Sequence, residues 1–550
     1  MNRSQYVVAR RRASVLAITV CASTVLSIAI AQTTPAVIFP KPTPHTQQAY
    51  NPADAFTSRW TRADSRQIAA MSDSTVPAGR NSMPSWLTMP DIPADFPDTD
   101  PNVWVWDTWP LADLYADQLS YKGWEVIFAL TADRHAGYSF DDRHTHARLG
   151  YFYRKALPPG SPHLPNGGWI YGGHVFPDGA SDVVFGNTPH TANAEWSGST
   201  RMMNDNGSVS VYYTALAFNR NVSGQDITPA TAIITRADGK LHANRNGVWF
   251  TGFKKHKPLL RPDGVMYQNG AQNPFYNFRD PYVFIDPAHP DQTYMVFEGN
   301  TAGDRGARTC TDADLGYAAN DPAKEDLQTV MNSGATFQKA NIGLAVARNR
   351  KLTKWEFLPP ILQANCVTDQ TERPQIYLKD GKYYLFTITH RSTYAAGIDG
   401  PDGVLGFVGD GIRSDFLPMN GGSGLVLGNP TDLNEPVGAP FALDPNQNPR
   451  TFQSYSHYVM PGGLVTSFID AIGTRRGGSE APTVRIKIAD DTSTLDTTYG
   501  VMGLGQYGDI PANRRTLPPY FRQSAPTDDD GEPVVSGKTQ DDGNDSSSDR

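Results

Sequence analysis

Lys379-Asp380-Gly381-Lys382-Tyr383-Tyr384-Leu385-Phe386-Thr387-Ile388 couples a turn dipeptide to an apolar, β-rich run. Asp-Gly supplies the two positive-φ residues that a two-residue hairpin needs, so the run after it is predicted as a strand. Runs of the same kind recur outward along the chain: Trp124-Glu125-Val126-Ile127-Phe128-Ala129-Leu130, Val209-Ser210-Val211-Tyr212-Tyr213, Tyr294-Met295-Val296-Phe297-Glu298 and Asn341-Ile342-Gly343-Leu344-Ala345-Val346-Ala347. Gly, Pro, Asn and Asp turns separate them, and no long amphipathic helix pattern competes. Composition agrees: 49 Gly, 43 Pro, 11% aromatic and only 19% charged residues describe a turn-rich, all-β chain. Many short strands fit a propeller, sandwich or barrel. No clean internal repeat marks where one unit ends and the next begins.

The 550 residues suffice for one large β domain or two to three average ones. Arg3, Arg10, Arg11 and Arg12 precede an apolar stretch that closes at Ala29-Ile30-Ala31. That pattern reads as a signal peptide over 1–31, cleaved after about Ala31, and the apolar run is too short and too broken for a retained anchor. The mature protein is therefore expected to be secreted, extracellular or periplasmic, with no membrane partner. Residues 32–100, rich in Pro, Ser, Thr and Asp, are read as a segment wrapping the surface, with a short helix over Gln67–Met71. Residues 101–522 are read as the β domain that would carry any catalytic site. Residues 523–550 are read as a disordered acidic tail, with eight acids from Asp528 onward against Lys538 and Arg550. The tail thus carries six of the eight net negative charges, and the acidic balance argues against nucleic acid as partner. Cys310 and Cys366 remain after the signal is removed. In an oxidising compartment an even pair fits one disulfide, with two buried thiols as the alternative.

Three carboxylates stand in aromatic, Arg- and Pro-flanked surroundings that solvated surface acids rarely have. Asp107 lies in Val105-Trp106-Asp107-Thr108-Trp109-Pro110, Asp280 in Phe278-Arg279-Asp280-Pro281-Tyr282, and Glu372 in Gln370-Thr371-Glu372-Arg373-Pro374. Glycosidic-bond chemistry needs an acid to protonate the leaving oxygen and a carboxylate to attack the sugar. Aromatic faces and guanidinium forks suit sugar rings and hydroxyls. The acids are 173 and 92 residues apart, so they meet only if their strands converge on one axis, as the inner strands of a propeller do.

Taken in order, these segments resemble the levansucrase/fructansucrase family, glycoside hydrolase family sixty-eight, over about Val103 to Gln506. Trp106-Asp107-Thr108-Trp109 is similar to its nucleophile motif and Glu195-Trp196-Ser197-Gly198-Ser199 to its sucrose-box segment. Arg279-Asp280-Pro281 is similar to its transition-state motif and Glu372-Arg373-Pro374 to its acid/base motif. His390-Arg391 and Ser454-Tyr455-Ser456-His457 follow in the family's order. The resemblance implies a five-bladed β-propeller with a central funnel, and a retaining double displacement on sucrose. Asp107 would attack the fructosyl carbon, Glu372 would act as acid/base and stay protonated near the working pH, and Asp280 would stabilise the transition state. Trp106 and Trp196 would wall the fructosyl site, and Ser197 would bond the nucleophile or a sugar hydroxyl. Arg279 and Arg391 would grip the glucosyl side, with Tyr455 supporting the acid pair. The implied partners are sucrose and fructan acceptors, acting on a monomer without a cofactor.

Two departures from many relatives matter. Gln370 stands where they carry Glu, which implies an altered glucose or acceptor subsite. Gln272-Asn273-Pro274-Phe275 offers no acid for the structural calcium that Gram-positive relatives hold, leaving Asp369 as the one candidate ligand. No metal is expected, and the Cys310–Cys366 pair would tie down the same region, as in the Gram-negative branch. The related readings are an inulosucrase or an invertase-like hydrolase, although Trp-Asp-Thr-Trp differs from the Asn-Asp-Pro-Asn-like motif of the latter. A non-catalytic sugar-binding propeller is the reading from a different class. Two motifs are discounted: Gly503-Leu504-Gly505-Gln506-Tyr507-Gly508 lacks the strand–turn–helix context of a dinucleotide site, and His144 and His146 read as a wet surface strand.

Overall fold

The computed structural model describes residues 56–71, 83–158, 161–185, 192–220, 227–307, 309–430, 452–472 and 475–511. The expected signal peptide and the acidic tail lie outside these residues. Each predicted strand run falls inside an observed strand, and Lys379 pairs with Lys382 across a turn in which Asp380 and Gly381 have φ of 52° and 78°. The Asp-Gly dipeptide thus takes the conformation that its missing or short side chains permit.

Among the described residues hydrogen bonding defines four sheets, one of them nine-stranded. That large sheet is two antiparallel groups joined only by a short parallel pairing of Leu111 with Thr200 and Ala112 with Arg201. Five antiparallel groups result. Their first strands are β1 (Val103–Ala112), β2 (Ala194–Met202), β3 (Phe278–Asp286), β4 (Glu372–Lys379) and β5 (Ser454–Val459). Each packs against the next, and β5 returns to β1, closing a ring around an axis. This is the propeller arrangement, and closure removes the open edges that a flat sheet would leave.

Side chains lock every seam of the ring. Trp109 Nε1 donates to Thr200 Oγ1 at 3.1 Å, Ser199 Oγ to the Pro281 carbonyl at 2.8 Å, and Tyr282 OH to the Ile376 carbonyl at 3.0 Å. The Val459 N–H donates to Gln375 Oε1 at 2.9 Å, and Ser456 Oγ to Asp107 Oδ1 at 2.5 Å. Between the groups the core is aliphatic and aromatic, and Trp106, Trp109, Val105 and Leu111 are essentially inaccessible.

The segment before residue 101 is more than a surface wrap where it is described. Ser58–Arg59 pairs in parallel with the edge strand Trp355–Asn365, and Trp60 is 1% exposed with its indole N–H on the Ser423 carbonyl at 3.1 Å. A helix does form at Gln67–Ala70, as its sequence predicts. Gly503–Gly508 lies in turns around an isolated Val501–Leu504 bridge, and the described residues that follow, 509–511, form no helix, in line with its discounting as a nucleotide motif. The disulfide forms between Cys310 and Cys366. Among the described residues no helix is long and apolar enough to cross a membrane.

Candidate active site

All five inner strands break register at one level, between Trp106 and Trp109, Trp196 and Gly198, Arg279 and Tyr282, Glu372 and Gln375, and Tyr455 and Tyr458. In four of them a residue at the break adopts a left-handed backbone: Asp107 (φ 50°), Asp280 (φ 62°), Arg373 (φ 47°) and Ser456 (φ 60°). A β-bulge leaves one residue unpaired and re-aims its side chain. Consecutive residues, which would face opposite sides of a regular strand, are thereby both available to the axis. Such backbone costs of order 1–3 kcal/mol per residue and persists where the surroundings over-determine it.

The bulges open onto a cavity of about 620 Å³, lined by Trp106, Asp107, Trp196, Ser197, Arg279, Asp280, Gln370, Glu372 and Tyr455 among others. Nine of the ten residues singled out from sequence as catalytic or substrate-binding therefore meet in one place. The tenth, Arg391, does not line it. Its guanidinium is turned to Asp399 at 3.2 Å, and its backbone N–H donates to Asp402 Oδ1 at 2.6 Å. The cavity position is taken by its neighbour His390, whose ring stacks on Tyr455 with centroids 3.5 Å apart. His144 is also corrected: it belongs to a 3₁₀ helix, Phe140–His146, and lines the cavity beside Trp106 and Trp196.

Asp107 is half-buried and accepts from Ser456 Oγ and, at 3.2 Å, from Ser197 Oγ. The same Ser197 hydroxyl lies 2.6 Å from Asp280 Oδ1, while the Arg373 N–H donates to Asp280 Oδ2 at 3.0 Å. One hydroxyl carries one proton, so it can donate to only one of these carboxylates at a time. Burial pushes the Asp280 carboxyl up to about 6, against the pull of Arg279 and with the repulsion of Glu372 and Asp107. When protonated, Asp280 can donate to Ser197, which frees the serine proton for Asp107.

Arg279 ties the opposite side together. It reaches Glu372 Oε1 at 2.5 Å, Glu298 Oε2 at 2.7 Å and Asp280 Oδ2 at 3.8 Å. Glu298 faces Arg279 directly in the β3 hairpin and is fully buried. Two carboxylates on one guanidinium cannot both ionise cheaply. Glu372 takes the charge: burial opposes this, but Arg279, His390 and the Tyr455 hydroxyl together hold its carboxyl below the usual range. Glu298 has only the Thr371 N–H at 3.4 Å besides Arg279, and burial keeps it protonated. In the free site burial therefore favours the neutral form of Glu298 and the donors around Glu372 favour its ionised form, opposite in direction to the protonated Glu372 expected from sequence.

Asp369, the candidate calcium ligand, is hydrogen-bonded within the protein. Asp369 Oδ1 accepts from the Lys339 N–H at 3.2 Å and Asn300 Nδ2 at 3.4 Å, and Lys339 Nζ donates to the Asp304 carbonyl at 2.7 Å. Cys366 lies three residues before Asp369. Among the described residues no cluster of three or more His, Cys, Asp or Glu could hold a metal ion.

Sequence reasoning missed Glu298, Arg373, Ser456, His390 and the Phe140–His146 helix. Ser456 and His390 stand inside motifs that were quoted, but nothing marked them as facing the cavity. Glu298 ends an ordinary strand run, and only its pairing with Arg279 gives it a role.

The architecture recurs in known proteins. A levansucrase of Gluconacetobacter diazotrophicus is 65% identical over 477 residues, 86% of this chain and 82% of that protein. Its crystal structure superposes with a TM-score of 0.82, covering 86% and 97% of the two chains. A β-fructofuranosidase of Microbacterium saccharophilum K-1 is 57% identical with a TM-score of 0.81, covering 86% and 90%. A levansucrase of Pseudomonas savastanoi pv. glycinea is 40% identical over 472 residues, 82% of this chain and 92% of that one. The levansucrase/invertase family profile matches residues 49–511. With its ring of bulged strands and its three converging acids, this chain belongs to the levansucrase/invertase family.

Proposed function

We propose that the protein is a levansucrase, a retaining fructosyltransferase. It cleaves sucrose, releases glucose and transfers the fructosyl unit to a growing β-2,6 fructan, to short oligosaccharides or to water. The observation that carries this is the single cavity holding Asp107, Asp280 and Glu372, with Ser197 between the first two and Arg279 gripping the third. Asp107 is the nucleophile, presented by its bulge and aligned by Ser456 and Ser197. Trp106 and Trp196 wall the fructosyl ring, and Asp280 accepts from its hydroxyls as positive charge develops.

Glu372 is the acid/base. Sucrose entering beside Arg279 and Tyr455 competes for their donors and excludes water, and both effects raise the Glu372 carboxyl toward protonation. Protonated from solvent before the site closes over the sugar, Glu372 passes that proton to the glycosidic oxygen as glucose leaves. It then takes a proton from the acceptor hydroxyl that attacks the fructosyl–Asp107 ester. Gln370 and His390 flank Glu372 and shape the glucosyl or acceptor side.

Export fits the disulfide, which belongs to oxidising compartments. The protein is read as secreted through the 1–31 leader and as acting as a monomer. The test is incubation with sucrose while free glucose and free fructose are followed, with NMR of any polymer. Glucose in excess of fructose, with a β-2,6 polymer, is expected. Equal amounts would make the protein a hydrolase, as the Microbacterium relative is named. No sugar release would leave a sugar-binding propeller.

A further inference from the structure

Of the four left-handed residues at the register breaks, Asp107, Asp280 and Ser456 have parts in the chemistry above, whereas the Arg373 side chain has none. Arg373 is 4% exposed and lies behind the cavity wall. Burying a guanidinium is costly unless its donors are used. Nη1 donates to the Ser456 carbonyl at 2.6 Å and to Ser456 Oγ at 2.8 Å, and Nη2 donates to the Thr108 carbonyl. The guanidinium also lies 5.2 Å from the centroid of the Tyr458 ring. With its own N–H on Asp280 Oδ2 at 3.0 Å, Arg373 bonds to the bulges of β1, β3 and β5 from the bulge of β4.

These contacts converge on Asp107. In a ring of five, β4 is flanked by β3 and β5, so the bond to Thr108 joins strands that are not neighbours. Thr108 follows Asp107 in the chain, and fixing its carbonyl fixes the left-handed turn that presents the carboxylate. Ser456 Oγ, the second acceptor of Nη1, is the group that donates to Asp107 Oδ1 at 2.5 Å. A hydroxyl has one proton. With the guanidinium donating into its oxygen, that proton is turned to Asp107, and a hydrogen bond in such a chain is strengthened by the one before it. The fork of a guanidinium can hold a hydroxyl and two carbonyls on two strands at fixed angles, which the point charge of a lysine cannot.

We propose that Arg373 is the positioning residue of the nucleophile: its guanidinium fixes the Thr108 carbonyl and orients the Ser456 hydroxyl, and through both it aims the Asp107 carboxylate at the fructosyl carbon. The inference rests on the cavity being the sucrose-cleaving site with Asp107 as its nucleophile.

The experiment measures kcat/KM, which reports formation of the fructosyl–Asp107 ester, on sucrose and on para-nitrophenyl β-fructofuranoside. The aryl leaving group departs with little help from an acid, so Glu372→Gln should recover much of its activity on it. Full-length Arg373→Met, Arg373→Lys, Ser456→Ala and the double variant Arg373→Met/Ser456→Ala are compared with the wild type. A misaimed nucleophile costs on the order of a hundredfold, and Arg373→Met should lose about that much on both substrates. Ser456→Ala should lose less, and the double variant no more than Arg373→Met alone, because the serine acts under the control of the arginine. Arg373→Lys keeps the charge and loses the fork, so it should still fall by roughly tenfold. Folding of each variant is checked by circular dichroism, and Arg373→Lys takes the place of Arg373→Met in the same cycle if the latter is unfolded. A loss that largely disappears on the aryl substrate would mean that Arg373 acts through Glu372, and would overturn the proposal. Losses that multiply in the double variant, or a lysine variant as active as the wild type, would overturn it too. A wild type that releases no glucose from sucrose, or a folded Asp107→Asn variant that stays active, would instead refute the reading of the cavity, a result distinct from any of these.

Discussion

Asp280→Asn should make the protein more stable while abolishing turnover. The Asp280 carboxyl is 5% exposed and is displaced from 3.8 to about 6 by burial. At 1.36 kcal/mol per pH unit, keeping it ionised in the folded protein costs roughly 3 kcal/mol, a figure that already contains the attraction of Arg279. The sign follows from linkage. A folded value above the unfolded one means that the native state binds more protons, so stability falls as pH rises through the window from 3.8 to about 6. Above that window the whole cost is present. Asparagine keeps the shape: its carbonyl can still accept from the Arg373 N–H at 3.0 Å, and its amide can donate to Ser197 Oγ at 2.6 Å. We therefore predict a gain of roughly 3 kcal/mol at pH 7.5 by urea unfolding, shrinking by roughly 2 kcal/mol at pH 4.5. Losing a charge aimed at the transition state should lower kcat on sucrose by at least about a hundredfold. A variant no more stable than the wild type at pH 7.5, or a gain independent of pH, would refute the buried-charge reasoning. Retained activity would refute the role of Asp280.

Tyr455→Phe removes the hydroxyl that donates to Glu372, so the Glu372 carboxyl should rise and the alkaline limb of the kcat/KM profile should move to higher pH; an unmoved limb would contradict that hydrogen bond. Replacing Cys310 and Cys366 by Ser opens a loop closed across 56 residues and should cost up to about 4 kcal/mol, read as a lower unfolding midpoint with little change in kcat. Treatment with EDTA should leave the unfolding temperature and the activity as they were, because Asp369 is satisfied by Lys339 and Asn300; inactivation reversed by calcium would overturn this. Arg391→Ala withdraws the partner of Asp399 rather than a cavity wall, so a lower melting temperature with an unchanged glucose-to-fructose ratio is expected.

The strands were legible because their signals are local. Asp380-Gly381 dictates its own hairpin, and runs such as Tyr383–Ile388 or Asn341–Ala347 are too apolar and too β-branched to be anything but buried strands. The acids were legible because Trp106-Asp107, Arg279-Asp280 and Glu372-Arg373 set charge among aromatic, Arg and Pro neighbours that solvated surface acids rarely have, and because their order matches a family. Their convergence was not legible. It depends on five register breaks at one level of five strands, and a bulge is a property of two paired strands rather than of either sequence. For the same reason Gln370 could be placed in the cavity from its spacing, whereas Arg391 and His390 were exchanged: one residue of rotation at a strand end decides which neighbour faces the axis. Protonation also belonged to the tertiary structure alone. Glu298 lies 74 residues from Glu372, and it takes both the pairing of β3 with its hairpin partner and the packing of β4 against β3 to put the two on one guanidinium, where burial favours the neutral form of the first and the surrounding donors the charged form of the second.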